Sequence, residues 1–225
     1  MTRESFHEAL ERIEFDLLAQ GELASASVQR SVEALVTSDE QLALAVIEAD
    51  DEIDDLYLRI DQEVLQVLAL QSPVAADLRL VSAILHSCLH LERIGDQSVN
   101  VAKMFLATKD LPGSASMRQQ LDEMGTLVVG MIRTAMESFA KRDLELCLRL
   151  PQMDDPVDRL NRATHLEALK LADDPGALDW GMHMNMAARA LERVGDNAVD
   201  IAEQVGFLLT GEFREFTDAS HDDLA

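Results

Sequence analysis

The sequence predicts an all-α protein: six long helices arranged as two tandem three-helix bundles related by an internal repeat. Three observations predict it. The stretch Leu91-Glu92-Arg93-Ile94-Gly95-Asp96 returns as Leu191-Glu192-Arg193-Val194-Gly195-Asp196, at an offset of 100 positions. Val99, Val101 and Ala102 are likewise answered by Val199, Ile201 and Ala202. Self-similarity at half the chain length marks two copies of one unit. Apolar residues recur every three or four positions, the period of an amphipathic helix, and no alternating strand pattern competes. Ala, Leu and Val dominate while aromatics are only 4% of the 225 residues, as in helical bundles.

The elements follow in order. Helix one, about residues 4–36, carries Phe6, Leu10, Ile13, Leu17, Ala24, Val28 and Leu35 on one stripe. Ser38 or Asp39 is placed to cap helix two, whose stripe is Leu42, Val46, Ala49, Ile53, Leu56, Ile60, Val64 and Val67. Helix three starts after Ser72-Pro73 and runs to about residue 107, with Leu78, Val81, Leu85, Cys88 and Val99 on one side. Residues 108–116, containing Pro112-Gly113, form the clearest break. The plan then repeats as helices over 117–141, 143–172 and 175–209. The repeats are thus expected at residues 1–110 and 117–210, followed by a flexible acidic tail at 211–225, poor in apolar residues and expected to fray. Helices of ~30 residues are about 45 Å long, so two elongated bundles packed side by side are expected.

Charge and cysteine usage exclude several classes. A formal net charge of -23 argues against nucleic acid and against an anionic membrane surface, which reward clustered Lys and Arg. It suits cations or a basic protein partner, although a solvated acidic face is the simplest account. Cys88 and Cys147 form no motif and are expected as small buried hydrophobes. No apolar run approaches the ~18 residues that span a bilayer, and residues 1–15 hold no signal segment, so a cytoplasmic protein is expected.

The repeated acids carry the functional argument. Glu92/Asp96 and Glu192/Asp196 are i, i+4 pairs, so each pair lies on one helix face. Asp200 extends the second ladder by a turn where the first has Asn100. Leu85, Glu92 and Val99 fall seven apart, so Glu92 interrupts an apolar line, where an uncompensated carboxylate calls for a cation or a proton. In so acidic a chain on the order of eight such pairs arise by chance, and Arg93 and Arg193 could simply neutralise them. Hairpin geometry adds a second condition. Asp50/Asp54 and Glu92/Asp96 are centred on Pro73; Asp154/Asp158 and Glu192/Asp196 are centred on Pro175. Each antiparallel hairpin therefore sets four carboxylates level, twice over. Hard oxygen ligands in that number suit Mg²⁺, Ca²⁺, Mn²⁺ or clustered iron.

Other chemistry is not visible. A ferritin-like di-iron site needs Glu-x-x-His on two helices, and Glu4 to His7 is a lone match. His86 and His90 point away from the Glu92/Asp96 face; His165 and His183 are isolated. No nucleophile elbow or phosphate-binding glycine loop occurs, so no enzyme is expected.

Together the duplicated LERIGD and LERVGD, the upstream DDEID and DDPVD, and Ala76-Asp77-Leu78-Arg79-Leu80 resemble the PhoU family of phosphate-signalling regulators, accessory proteins of phosphate-specific transport, over about residues 4–216. The resemblance implies two similar three-helix halves, often dimeric. It implies a cytoplasmic negative regulator of phosphate uptake and the starvation response, coupling the ATPase of the phosphate ABC transporter to a phosphate-responsive sensor histidine kinase. Recruitment by the transporter to the inner face of the membrane, without insertion, belongs to the same expectation. It further implies metal bound through E/D-x-x-x-D motifs, multinuclear iron or else zinc, manganese or magnesium. Carried over by residue, the first site is Asp50, Asp54, Glu92 and Asp96, with Asn100 in reach. The second is Asp154, Asp158, Glu192 and Asp196, with Asp200 in reach; Asp51 and Asp155 are lesser candidates. The alternative is a carboxylate-cluster metal-storage protein with no phosphate role. One departure stands out: Pro156 lies inside Asp154–Asp158, so helix five is expected to kink, or to restart with Asp155 as cap.

Overall fold

A computed structural model describes residues 3–71 and 73–216. Ser72 of the predicted turn and residues 217–225 of the predicted tail lie outside them, as do the side chains of residues 3–5, Glu4 included. The described residues form six helices: α1 (Arg3–Thr37), α2 (Glu40–Gln71), α3 (Ala76–Thr108), α4 (Ala115–Lys141), α5 (Leu144–Leu169) and α6 (Pro175–Thr210).

Local chemistry sets most of these boundaries. Asp39 Oδ1 accepts the Leu42 N–H at 3.0 Å at the start of α2. Ser114 accepts from Met117 at the start of α4, Asp143 from Glu145 and Leu146 at α5, and Asp174 from Gly176 and Ala177 at α6. Each such cap contributes about 1 kcal/mol. Pro175 occupies the first turn of α6, where its missing N–H costs nothing. Gly211, at φ 77°, ends that helix in a left-handed cap.

The stripes bury as their period requires. Phe6, Leu10, Ile13, Leu17, Ala24, Val28 and Leu35 of α1 are all buried, as are Val46, Ile53, Leu56, Ile60, Val64 and Val67 of α2. Leu91, Ile94, Leu191 and Val194 of the repeated motif are fully enclosed, each contributing roughly 1.5–3 kcal/mol by burial. Cys88 and Cys147 are free and buried, as expected. α1 packs on α2 and α3, and α4 on α5 and α6; α3 against α6 is the broadest helix–helix contact, with α1 against α4 beside it. The inner helices form the common core, and α2 and α5 flank it.

Three expectations need correction. Leu78 is 46% exposed, and the buried stripe of α3 begins only at Val81. α5 does not restart at Asp155: its cap is Asp143, and the helix is continuous through Pro151 and Pro156. The flanking turns hold it by burying Cys147, Leu150 and Val157. Residues 211–216, expected to fray with the tail, turn back on α6 instead. There the Phe216 N–H donates to the buried Glu203 carboxylate at 2.6 Å, while Thr210 Oγ1 accepts the Glu212 N–H at 3.1 Å.

Candidate metal centres

In the first repeat, α2 supplies Asp50 and Asp54 and α3 supplies Glu92 and Asp96. They lie close enough for their repulsion to raise three of them, Asp50, Asp54 and Glu92. The Asp50 carboxyl is pushed up to about 6, first by burial, then by repulsion from Asp54, Asp96 and Asp51, with Lys103 opposing. Burial and then Asp96, Asp51 and Asp55 raise Asp54. Burial, Asp96 and Asp54 raise Glu92, against a smaller pull from Arg93. The hairpin geometry anticipated this meeting. Glu92, however, flanks the core rather than interrupting it, being partly exposed while Leu91 behind it is enclosed. Asn100 donates to Gln97 Oε1 at 3.4 Å, a contact within its own helix.

The second repeat copies the plan at closer quarters. Asp154 is raised to about 7 by burial and then by Asp196, Asp158, Glu192 and Asp155. Asp196 is raised to about 6 by desolvation in the cleft and then by Glu192, Asp158 and Asp200, with Arg189 opposing. Asp154 Oδ1 and Glu192 Oε2 are buried without a hydrogen-bond partner, a costly state unless a proton or cation reaches them. Arg162 stands 3.5 Å from Asp158, and Arg189 3.5 Å from Glu192. The arginines of the motif itself do something else: among the described residues neither Arg93 nor Arg193 forms an ion pair, and both are exposed. Arg93 acts on Glu92 only through space, as a pull smaller than burial and the neighbouring carboxylates of Asp96 and Asp54.

A glycine makes each approach possible. A Cβ on Gly95 would stand 2.9 Å from Asp50 Oδ1, and one on Gly195 only 2.6 Å from Asp154 Oδ1. Both glycines precede the motif aspartate and are repeated with it, a signal present in the sequence whose meaning lies in the helix-to-helix distance.

The donors are hard oxygens, and the two orphaned oxygens of the second site fit a hard cation. Among the described residues, no three His, Cys, Asp or Glu groups stand close enough together to hold an ion as placed. His86 is exposed, His165 is exposed beside Arg162 and Arg189, and His183 faces Asp179 on its own helix. His90 is different: it reaches the second repeat, with Nδ1 2.9 Å from Asn197 Oδ1 and 3.4 Å from Asp200 Oδ2. Sequence reasoning placed it off the first-site face, correctly, but had no means of seeing what it faces.

The PhoU domain matches twice, over residues 17–105 and 121–205. The phosphate-specific transport system accessory protein PhoU homologue of Pseudomonas aeruginosa is 35% identical over 97% of this chain and 88% of its own length. The homologue from Clostridium acetobutylicum is 31% identical over 97% of this chain and 100% of its own. The crystal structure of PhoU from Pseudomonas aeruginosa superposes with a TM-score of 0.87 at 36% identity, covering 92% of this chain and 100% of that one. The phosphate transport system regulatory protein PhoU from Streptococcus pneumoniae gives 0.85 at 28% identity, covering 93% of this chain and 99% of that one.

Proposed function

The chain belongs to the PhoU family, and from that premise we propose that it regulates phosphate-specific transport, restraining uptake and the starvation response when phosphate is plentiful. The observation that carries this reading is the match of both repeats, along nearly the whole chain, to accessory proteins of that transport system. It acts through protein contacts, on the ATPase of the phosphate ABC transporter and on a phosphate-responsive sensor histidine kinase, as a cytoplasmic homodimer. In keeping with that location, no helix among the described residues is long and apolar enough to cross a membrane. The net charge of -23 favours basic docking surfaces on the partners.

The carboxylate clusters belong to the same proposal. Asp50, Asp54, Glu92 and Asp96 would hold one cation site, and Asp154, Asp158, Glu192, Asp196 and Asp200 the other. Iron, zinc, manganese and magnesium are the candidates. A bound cation supplies countercharge. The residues do the rest: the glycines admit the aspartates of the outer helices, and the acid ladders of the inner helices face them. Loading would lock α2 onto α3 and α5 onto α6, fixing the surfaces offered to partners.

Deleting the gene and measuring alkaline phosphatase expression in high phosphate tests the regulatory reading. Derepression restored by the wild-type gene is expected; unchanged repression in a strain with no second copy of the gene would overturn it. The metal reading is tested separately by metal content per chain of untagged protein beside the Glu92→Gln/Asp96→Asn variant. Two or more ions per chain, reduced in the variant, are expected.

A further inference from the structure

We propose that His90, a residue of the first repeat, is a positioning residue for the carboxylate site of the second, anchored by Asn197 and holding Asp200 of α6 in place for a cation. The proposal rests on the carboxylate-cluster reading above and adds a residue that no sequence motif includes.

The hydrogen-bond directions can be assigned from acceptors that have no alternative. Asn197 Nδ2 donates to the Arg193 carbonyl at 2.7 Å, and a carbonyl only accepts. The other end of that amide, facing His90 at 2.9 Å, is therefore its oxygen. His90 Nδ1 must carry the hydrogen, whether the ring holds one proton or two. That same N–H edge lies 3.4 Å from Asp200 Oδ2. The side chain of His90 is only 13% exposed, so its rotamer is restricted by packing, whereas that of Asp200 is 46% exposed and free to turn into water. A fixed donor beside a mobile carboxylate selects one of its rotamers. It also offsets the repulsion between Asp200 and Asp196, one turn apart on the same face.

The two copies differ at all three positions involved. Asp200 stands where the first repeat has Asn100, Asn197 where it has Gln97, and the counterpart of His90 in the second repeat is Ala190. The first site has a neutral amide in the extra position, held by Gln97 of its own helix. The second has a charged ligand in that position and a donor brought from the other repeat to hold it. The added carboxylate and its donor occur together on the same side of the molecule. This is the relation of a ligand to the outer-shell group that orients it, and losing such a group typically weakens metal binding about 10–100-fold.

The test uses the full chain and manganese(II) alone, with free ion counted by its EPR signal. Two backgrounds isolate the sites: Glu92→Gln/Asp96→Asn leaves the second, and Glu192→Gln/Asp196→Asn leaves the first. In the former, His90→Ala is expected to weaken manganese binding about tenfold. His90→Asn, whose Nδ2 stands near the place of Nδ1, should recover most of that loss. Asn197→Ala, which keeps His90 and removes its acceptor, should match His90→Ala and guards against a His90 variant that fails to fold. In the latter background His90→Ala should leave the isotherm unchanged. An unaltered second-site isotherm, equal losses at both sites, or no recovery with His90→Asn would each overturn the proposal while leaving the metal reading intact. A wild-type chain that takes up no manganese would remove both.

Discussion

The two acid-lined hairpins carry the same four carboxylates in the same helical register, yet they are not equivalent. In the first, Asp50 sits at about 6, Lys103 tempers it, and the glycine approach is 2.9 Å. In the second, Asp154 reaches about 7, the approach tightens to 2.6 Å, and two carboxylate oxygens are buried without partners. Arg162, Arg189 and His90 crowd the second site and have no counterparts in the first. Duplication therefore preserved which atoms meet, while the residues around them set how strained the meeting is. The more strained site is the one that should respond more to protons, cations and substitution.

The largest expected effect tests what the copies share. Leu91 and Leu191 are both fully buried behind their acid ladders, so Leu→Ala at either position should cost about 2–5 kcal/mol. Chemical denaturation should find the two costs alike; a large disparity would mean that the repeats do not share one core.

The next effect separates them. A carboxyl raised in the folded state contributes stability while protonated, below its ordinary value of 3.8, and loses it as pH rises through the folded value. Metal-free protein in chelator should therefore lose stability between about pH 4 and 7 at the second site, and between about pH 4 and 6 at the first. Asp154→Asn should remove that penalty and stabilise the metal-free chain at pH 8 by about 1–2 kcal/mol. Asp50→Asn should do so by less. Thermal melts at pH 5 and pH 8 read the difference, and saturating cation should reverse the slope.

Gly195→Ala should then weaken cation binding at the second site by about tenfold, equivalent to about 1.4 kcal/mol, by turning Asp154 away. The added methyl group should meanwhile raise helix propensity by up to about 1 kcal/mol. Gly95→Ala should show the same opposition of signs with a smaller loss, since its clearance is greater. Isothermal titration beside a denaturation curve separates the two contributions. Smallest are the exposed ion pairs: Arg162→Gln and Arg189→Gln should each change stability by a few tenths of a kcal/mol. Both should modestly increase cation affinity at the second site by removing competing positive charge, as Lys103→Gln should at the first.

Much of this was legible beforehand, for reasons that particular residues show. The α1 stripe from Phe6 to Leu35 buries in full because helix period alone decides which face is apolar. The level meeting of Asp50/Asp54 with Glu92/Asp96 follows from residue counting across a tight turn, which needs no knowledge of packing. What escaped depends on distances between elements. His90 meets Asn197, 107 positions away, only because α3 docks on α6, and neither stripe specifies that docking. Pro156 suggested a break because local propensity counts the missing N–H and not the burial of Leu150 and Val157 on either side. The tail looked frayed because its composition is polar, yet the backbone N–H of Phe216 answers the buried Glu203 carboxylate. A main-chain donor is invisible to composition.

The breadth of the α3–α6 contact has a mechanical consequence. These two helices are each other's widest neighbours and also the inner jaws of the two hairpins. The molecule is thus two hairpins set back to back on a shared spine, with α2 and α5 each packed within its own repeat. A change in how either hairpin closes would therefore be felt at the face it shares with the other.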